Sequence, residues 1–247
     1  MQDYAVINPI CGKKAPKTGR LAVMAATLPD LNALAGALGL SNHAPLDFFS
    51  AKLYEGALKN REFCLIGPFI GAPHATILLE NLVTMGVDTV IFIGWCGSVS
   101  PILEIGDVLL ATAAFSDEGT SRHYGVSQQG ALLETNSDLN ALITSLLEMK
   151  GISFKTGKVW TTDAIYRETP KKIDFFREKG AMGVEMELSA MVSVAAFRGI
   201  RLMSMLTVSD EVGTMTWKPG FGDPRFKAGR KLVAGIMPFL VERILYG

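Results

Sequence analysis

The stretch Thr89-Val90-Ile91-Phe92-Ile93-Gly94-Trp95-Cys96-Gly97-Ser98 decides how this chain is read. Its first five residues are a continuous β-branched and aromatic run, as expected of a strand covered on both faces. Gly94 to Ser98 then put small and polar residues just past the strand, where open α/β sheets gather their ligands. The same exchange of short apolar runs with longer amphipathic segments continues on either side. Strands are expected at 20–26, 52–57, 62–66, 107–114, 154–161 and 202–208, with the polar turn Lys59-Asn60-Arg61 joining the second and third. Helices are expected at 29–38, 73–85, 136–149, 170–179, 188–198 and 226–245. Gly39 and Gly199 end two of them, Pro73 and Pro170 open two, and Pro238 should interrupt or kink the last. This is an α/β domain with a largely buried mixed sheet.

Composition narrows the function. The 247 residues carry 24 Lys+Arg against 24 Asp+Glu, and 49% are hydrophobic. A net charge of zero leaves no basic face for a nucleic-acid backbone, so nucleic acid is not an expected partner. The apolar content supports a core and the length suits one domain, read as 20–247 behind a polar arm at 1–19. Lys13, Lys14, Lys17 and Arg20 before an apolar run resemble the front of a signal peptide, but they begin late and no small-residue cleavage site follows. No apolar run is long enough to span a membrane. Cys11, Cys64 and Cys96 are odd in number and His43, His74 and His123 lie far apart, so neither a disulfide framework nor a metal cluster is expected. A reduced, cytoplasmic setting fits them.

Five segments hold the polar chemistry: Gly71 to His74, Gly94 to Ser98, Glu118 to Tyr124, Gly183 to Glu187, and Thr207 to Glu211. Each has a plain structural explanation. Gly94 and Gly97 suit a tight turn, and Glu185 and Glu187 at a helix start complement the helix dipole. Asp210 suits a turn or cap, and His74 and His123 suit a hydrated surface.

Their order and spacing resemble the nucleoside phosphorylase family, which includes hexameric purine nucleoside phosphorylases, uridine phosphorylases and related nucleosidases. The resemblance rests on Gly71 to Ala75, Val90 to Gly97, Gly106-Asp107-Val108, Glu118 to Tyr124, Val184 to Glu187 and Val208 to Asp210. It implies a three-layer α/β/α fold around a mixed sheet, a homo-oligomer (a dimer, or a hexamer built as a trimer of dimers), and cleavage of a nucleoside's N-glycosidic bond. It implies no metal or organic cofactor, with inorganic phosphate as co-substrate. By the same resemblance Glu187 accepts hydrogen bonds from the ribose hydroxyls beside Glu185, and Met186 packs on the sugar. Asp210 protonates the leaving base, which favours a purine. Ile165, Tyr166 and Arg167 border the base, and the Gln and Arg pair of uridine-specific enzymes is not recognisable after them.

The sequence departs from the family where phosphate should bind. The early segment Met24 to Asp30 lacks the family's glycine and arginine. Phe92 replaces the strand arginine, and Trp95 replaces the hydroxyl residue after Gly94. A phosphate in an apolar pocket without a cation is heavily penalised. Three readings follow. Phosphorolysis, the family's frequent reaction, would take replacement charge from Arg122, with His123 or a neighbouring subunit. Hydrolysis would use water, with Asp30 or Glu118 as base. The third reading is a nucleoside-binding protein without turnover.

Overall fold

The computed structural model describes residues 5–247. The first four positions of the expected arm lie outside the described residues, and 5–19 form neither helix nor strand. In chain order the elements are β1 (Leu21–Ala25), α1 (Leu28–Ala37), β2 (Leu46–Phe48), β3 (Ala51–Leu58), β4 (Arg61–Gly67), α2 (Ala72–Thr84), β5 (Thr89–Ser98), β6 (Val108–Asp117) and β7 (Leu132–Glu134). There follow α3 (Ser137–Met149), β8 (Lys155–Thr162), α4 (Pro170–Glu178), β9 (Ala181–Glu185), α5 (Leu188–Arg198), β10 (Arg201–Glu211), β11 (Lys218–Pro219) and α6 (Pro224–Tyr246).

Strand side chains alternate between faces, and β1 shows what this does for the core. Leu21, Val23 and Ala25 enter a cluster with Leu31 and Leu34 of α1, Ile143 of α3 and Met237 of α6. Ala22 and Met24 point the other way, into a cluster with Leu78 and Leu79 of α2 and Met191 and Val194 of α5. Helices on both faces of one mixed sheet make the α/β/α arrangement expected from the sequence. A third, smaller cluster joins Ile173 and Phe176 of α4 to Trp160 on β8 and Val184 on β9.

The sheet topology brings the polar segments together. β5 pairs in parallel with β1 over Thr89 to Ile93, and its far end pairs antiparallel with β9 through Gly97 and Ser98. β10 runs parallel along the other edge of β5 and also pairs with β6. Because β6 pairs with β8 and β8 with β9, these five strands close into a ring. Val184 lies opposite Gly97 and Glu185 opposite Thr161, so the β9–α5 junction and the end of β8, which run against β5 and β10, come to a rim of the ring beside the last residues of β5.

Several expected boundaries need correction. β5 continues five residues past Ile93, so Gly94 and Gly97 are strand residues rather than a tight turn. Residues 181–185 are strand β9, so Glu185 ends a strand and only Glu187 stands at the helix start, as the N-cap of α5. Helix α6 runs unbroken through Pro238. Proline removes one backbone donor there, while Ile236, Met237, Leu240 and Val241 around it are buried and hold both halves in place.

Candidate active site

A cavity of about 530 Å³ opens at the rim. One of its walls is built where β9 passes into α5. Glu185 is buried, and its Oε2 accepts the backbone N–H groups of Glu187 and Leu188, both at 2.7 Å. Its Oε1 accepts from the Thr161 hydroxyl. Glu185 thus satisfies the otherwise open amides at the start of α5 and fixes the chain where Glu187 begins. Glu187 Oε1 accepts the Gly71 N–H at 2.5 Å. Gly71 has φ +79°, a conformation that favours glycine. Burial holds both carboxyls above the usual range, and the charge of Glu185 pushes Glu187 further in the same direction. Met186, between them, also lines the cavity.

Asp210 also lines the cavity, which it reaches through a register shift in β10. Val208 pairs with Cys96 and Asp210 with Gly97, leaving Ser209 as the extra residue of a bulge. A Cβ on Gly97 would lie 3.2 Å from Asp210 Oδ2, so a glycine leaves room for the carboxyl. Trp217 Nε1 donates to Oδ2 at 2.9 Å. Ser209 Oγ lies 2.6 Å from Oδ1 and 3.3 Å from the Cys96 carbonyl. With one hydrogen, this hydroxyl can donate to an ionised Asp210, or donate to the carbonyl and accept from a protonated one. The hydrogen bonds around Asp210 therefore accommodate the carboxyl with or without a proton.

The expected phosphate region is filled. Trp95 Nε1 donates to Asp30 Oδ2 at 2.5 Å, and Thr27 Oγ1 donates to the same oxygen at 3.0 Å. Arg230 pairs with Asp30 Oδ1 at 2.6 Å, its guanidinium 5.2 Å from the Trp95 ring centroid. The Trp95 ring meets Phe226 edge to face. Phe92 lies in the core, where no ligand reaches it.

Of the residues singled out in the sequence, Glu185, Met186, Glu187, Ile165, Tyr166, Trp95 and Asp210 line this cavity. Gly94, Arg122, His123 and Arg167 are not among its lining residues. Arg122 and His123 are exposed on a one-turn helix at Ser121–Tyr124. Neither expected water-activating base reaches the cavity surface: Asp30 is engaged as above, and Glu118 is buried with Ser116, Ser121 and Ser189. Sequence reasoning missed Glu168, Trp217 and Phe221, which also line the cavity. Trp217 and Phe221 lie in a segment with no motif. Glu168 had a visible signal, an acidic residue beside a base-bordering segment, but nothing local indicated that the turn at Ile165–Arg167 folds it inward. No cluster of three or more metal-binding side chains occurs among the described residues, and no helix there is long and apolar enough to cross a membrane.

A mixed sheet between helices thus carries, at its rim, a cleft lined by Glu168, Glu185, Glu187 and Asp210. The chain belongs to the phosphorylase superfamily, whose family model matches residues 20–226. A DeoD-type purine nucleoside phosphorylase of Proteus mirabilis is 31% identical over 166 residues, 66% of this chain and 69% of that one. Among solved structures, the uridine phosphorylase of Vibrio fischeri superposes with a TM-score of 0.79 at 22% identity, covering 94% of each chain. The 5′-methylthioadenosine/S-adenosylhomocysteine nucleosidase of Helicobacter pylori superposes at 0.75 and 21%, covering 91% of this chain and 98% of that one. At these identities the two structures establish a shared fold.

Proposed function

We propose that the protein is an enzyme that cleaves the N-glycosidic bond of a purine nucleoside, with water as the acceptor of the sugar. The observation that carries the choice of acceptor is the charge of the cavity wall. Glu168, Glu185, Glu187 and Asp210 line it, and no Lys, Arg or His is among its lining residues. Phosphate there would face carboxylates without a counter-charge. The neighbouring Arg230 is already engaged by Asp30, beneath the Trp95 indole.

The chemistry suits such a wall. Departure of the base leaves an oxocarbenium-like sugar, which nearby carboxylates tolerate and position. Glu187 keeps one oxygen for ribose hydroxyls while Gly71 fixes the other, and Met186 packs on the sugar. Asp210 gives its proton to the base, making it a better leaving group, and Ser209 adjusts to the change; the proton that water sheds on joining the sugar passes to solvent, from which Asp210 is reprotonated. Ile165 and Tyr166 cover the base at the mouth. The P. mirabilis relative's name favours phosphorolysis instead, which would take replacement charge from Arg122, with His123 or an arginine of another copy of the chain. Assembly as a homo-oligomer and a cytoplasmic location belong to both readings.

A nucleoside panel run in phosphate and in phosphate-free buffer, with detection of free base, ribose and ribose 1-phosphate, tests the proposal. Release of ribose at a phosphate-independent rate is the expected result. Phosphate-dependent ribose 1-phosphate refutes water as acceptor, and no cleavage of any nucleoside refutes the enzyme reading.

A further inference from the structure

Glu168 is the cavity carboxylate whose presence the reaction above does not explain. It follows the turn at Ile165–Arg167, after β8, and lines the same cavity as Asp210 of β10. Glu185, Glu187 and Asp210 each accept hydrogen bonds from the chain. Glu168 is half-buried, and its carboxyl has no hydrogen-bond or ion-pair partner among the described residues. A partly desolvated carboxylate without a donor is costly in the empty site and gains most from a ligand that brings one.

Purines offer two different patterns beside N7. A 6-amino base presents an acceptor at N7 next to a donor, whereas a 6-oxo base presents two acceptors. In the nucleoside reading above, on which this inference rests, Asp210 donates to the imidazole side of the base. A neighbouring ionised carboxylate supplies the complementary acceptor. We propose that Glu168 reads the substituent at purine position 6, selecting a 6-amino base by forming with Asp210 a donor and acceptor pair along that edge. Two carboxyls that line one cavity and feel each other's charge, holding one proton between them, match the 6-amino pattern, and a 6-oxo base would require both to be protonated.

The selection depends on pH. Burial first, and then the Asp210 charge, push the Glu168 carboxyl up to about 7. The other titratable or charged groups around it are Glu185 and Glu187 at the β9–α5 junction, Cys96 on β5, and Tyr166 and Arg167 on its own turn. Above pH 7 Glu168 is an acceptor and favours the 6-amino base. Below it Glu168 is protonated, can donate to a 6-oxo group, and discrimination falls. Groups that act equally on both substrates cancel in the ratio of their kcat/KM values.

The experiment measures kcat/KM for adenosine and inosine between pH 6 and 8.5, in the wild type and in Glu168→Gln and Glu168→Ala. The wild-type preference for adenosine should rise about 10- to 100-fold from the acid to the alkaline end, the span of one charge-assisted hydrogen bond. Both variants should show a low ratio that does not change with pH, and thermal melts should confirm that they fold. A pH-independent wild-type ratio, or variants with the wild-type profile, would overturn the role of Glu168 while leaving nucleoside cleavage intact. Cleavage of neither substrate, nor of any other nucleoside, by the folded wild type would overturn both proposals.

Discussion

Replacing Glu187 with glutamine should harm catalysis and help folding, and the opposed signs make it a demanding test of the sugar site. Glutamine keeps an oxygen for the Gly71 N–H, now 2.5 Å from Glu187 Oε1, so the wall retains its shape. Near pH 8 and above, where Glu187 gives up its proton, glutamine lacks the charge that strengthens bonds from ribose hydroxyls. A charge-assisted bond contributes ~1.5–3 kcal/mol, so kcat/KM should fall about 10- to 150-fold. For folding, burial and the charge of Glu185 raise the Glu187 carboxyl above its unfolded value. The folded chain then holds a proton that the unfolded chain releases, so this contribution is full below the ordinary carboxylate range and is lost as pH rises through neutral. The variant escapes the loss, by ~1.4 kcal/mol for each unit by which the group is raised. It should melt higher than the wild type at pH 8, by about 2–4 °C per kcal/mol, with the difference closing toward pH 5. Base release followed by absorbance, and thermal melts at the two pH values, measure both effects. Unchanged kcat/KM, or a variant that melts lower at pH 8, would refute the assignment.

Further predictions concern the rest of the cleft and the fold. Asp210→Asn should lower kcat about 100- to 10,000-fold, as expected for a lost general acid, with a fold intact by circular dichroism; full activity sinks the proton-donor role. Asp30→Ala strands Arg230 in a largely buried setting and should cost about 3–5 kcal/mol in a denaturant titration. Millimolar phosphate should raise the melting temperature of that variant and not of the wild type; equal shifts in both would argue that the wild-type cleft already binds phosphate. Asn136→Ala removes the side-chain acceptor of the Leu139 N–H at the start of α3 and should cost about 1 kcal/mol, without changing turnover.

Much of the scaffold was legible because it follows from local periodicity. β1 reads as an apolar run and is covered on both faces, and α5 ends at Gly199, whose φ is +66°. Strand β9 was not legible, since Glu185 at its end and Glu187 just after it suggested a helix start and its five residues carry no alternation. The same pattern holds in the site. Glu187 and Asp210 were visible through family spacing, whereas Glu168 and Trp217 come from turns whose direction is fixed by contacts distant in sequence.

The sequence by itself determined a neutral α/β protein whose motif order resembles the nucleoside phosphorylases and which lacks the cations that this resemblance implies at 24–30 and at Phe92. Those properties depend on residue identity and short-range order, which a linear chain displays in full. Only the tertiary structure decided what replaced the cations. Asp30 and Arg230 are 200 residues apart, and folding α1 against α6 brings them together beneath Trp95. The closure of β5, β9, β8, β6 and β10 into a ring likewise sets Glu168 and Asp210 on the wall of one cleft. Partners so distant in the chain cannot be inferred from local spacing, because the packing of whole elements sets the distance between them.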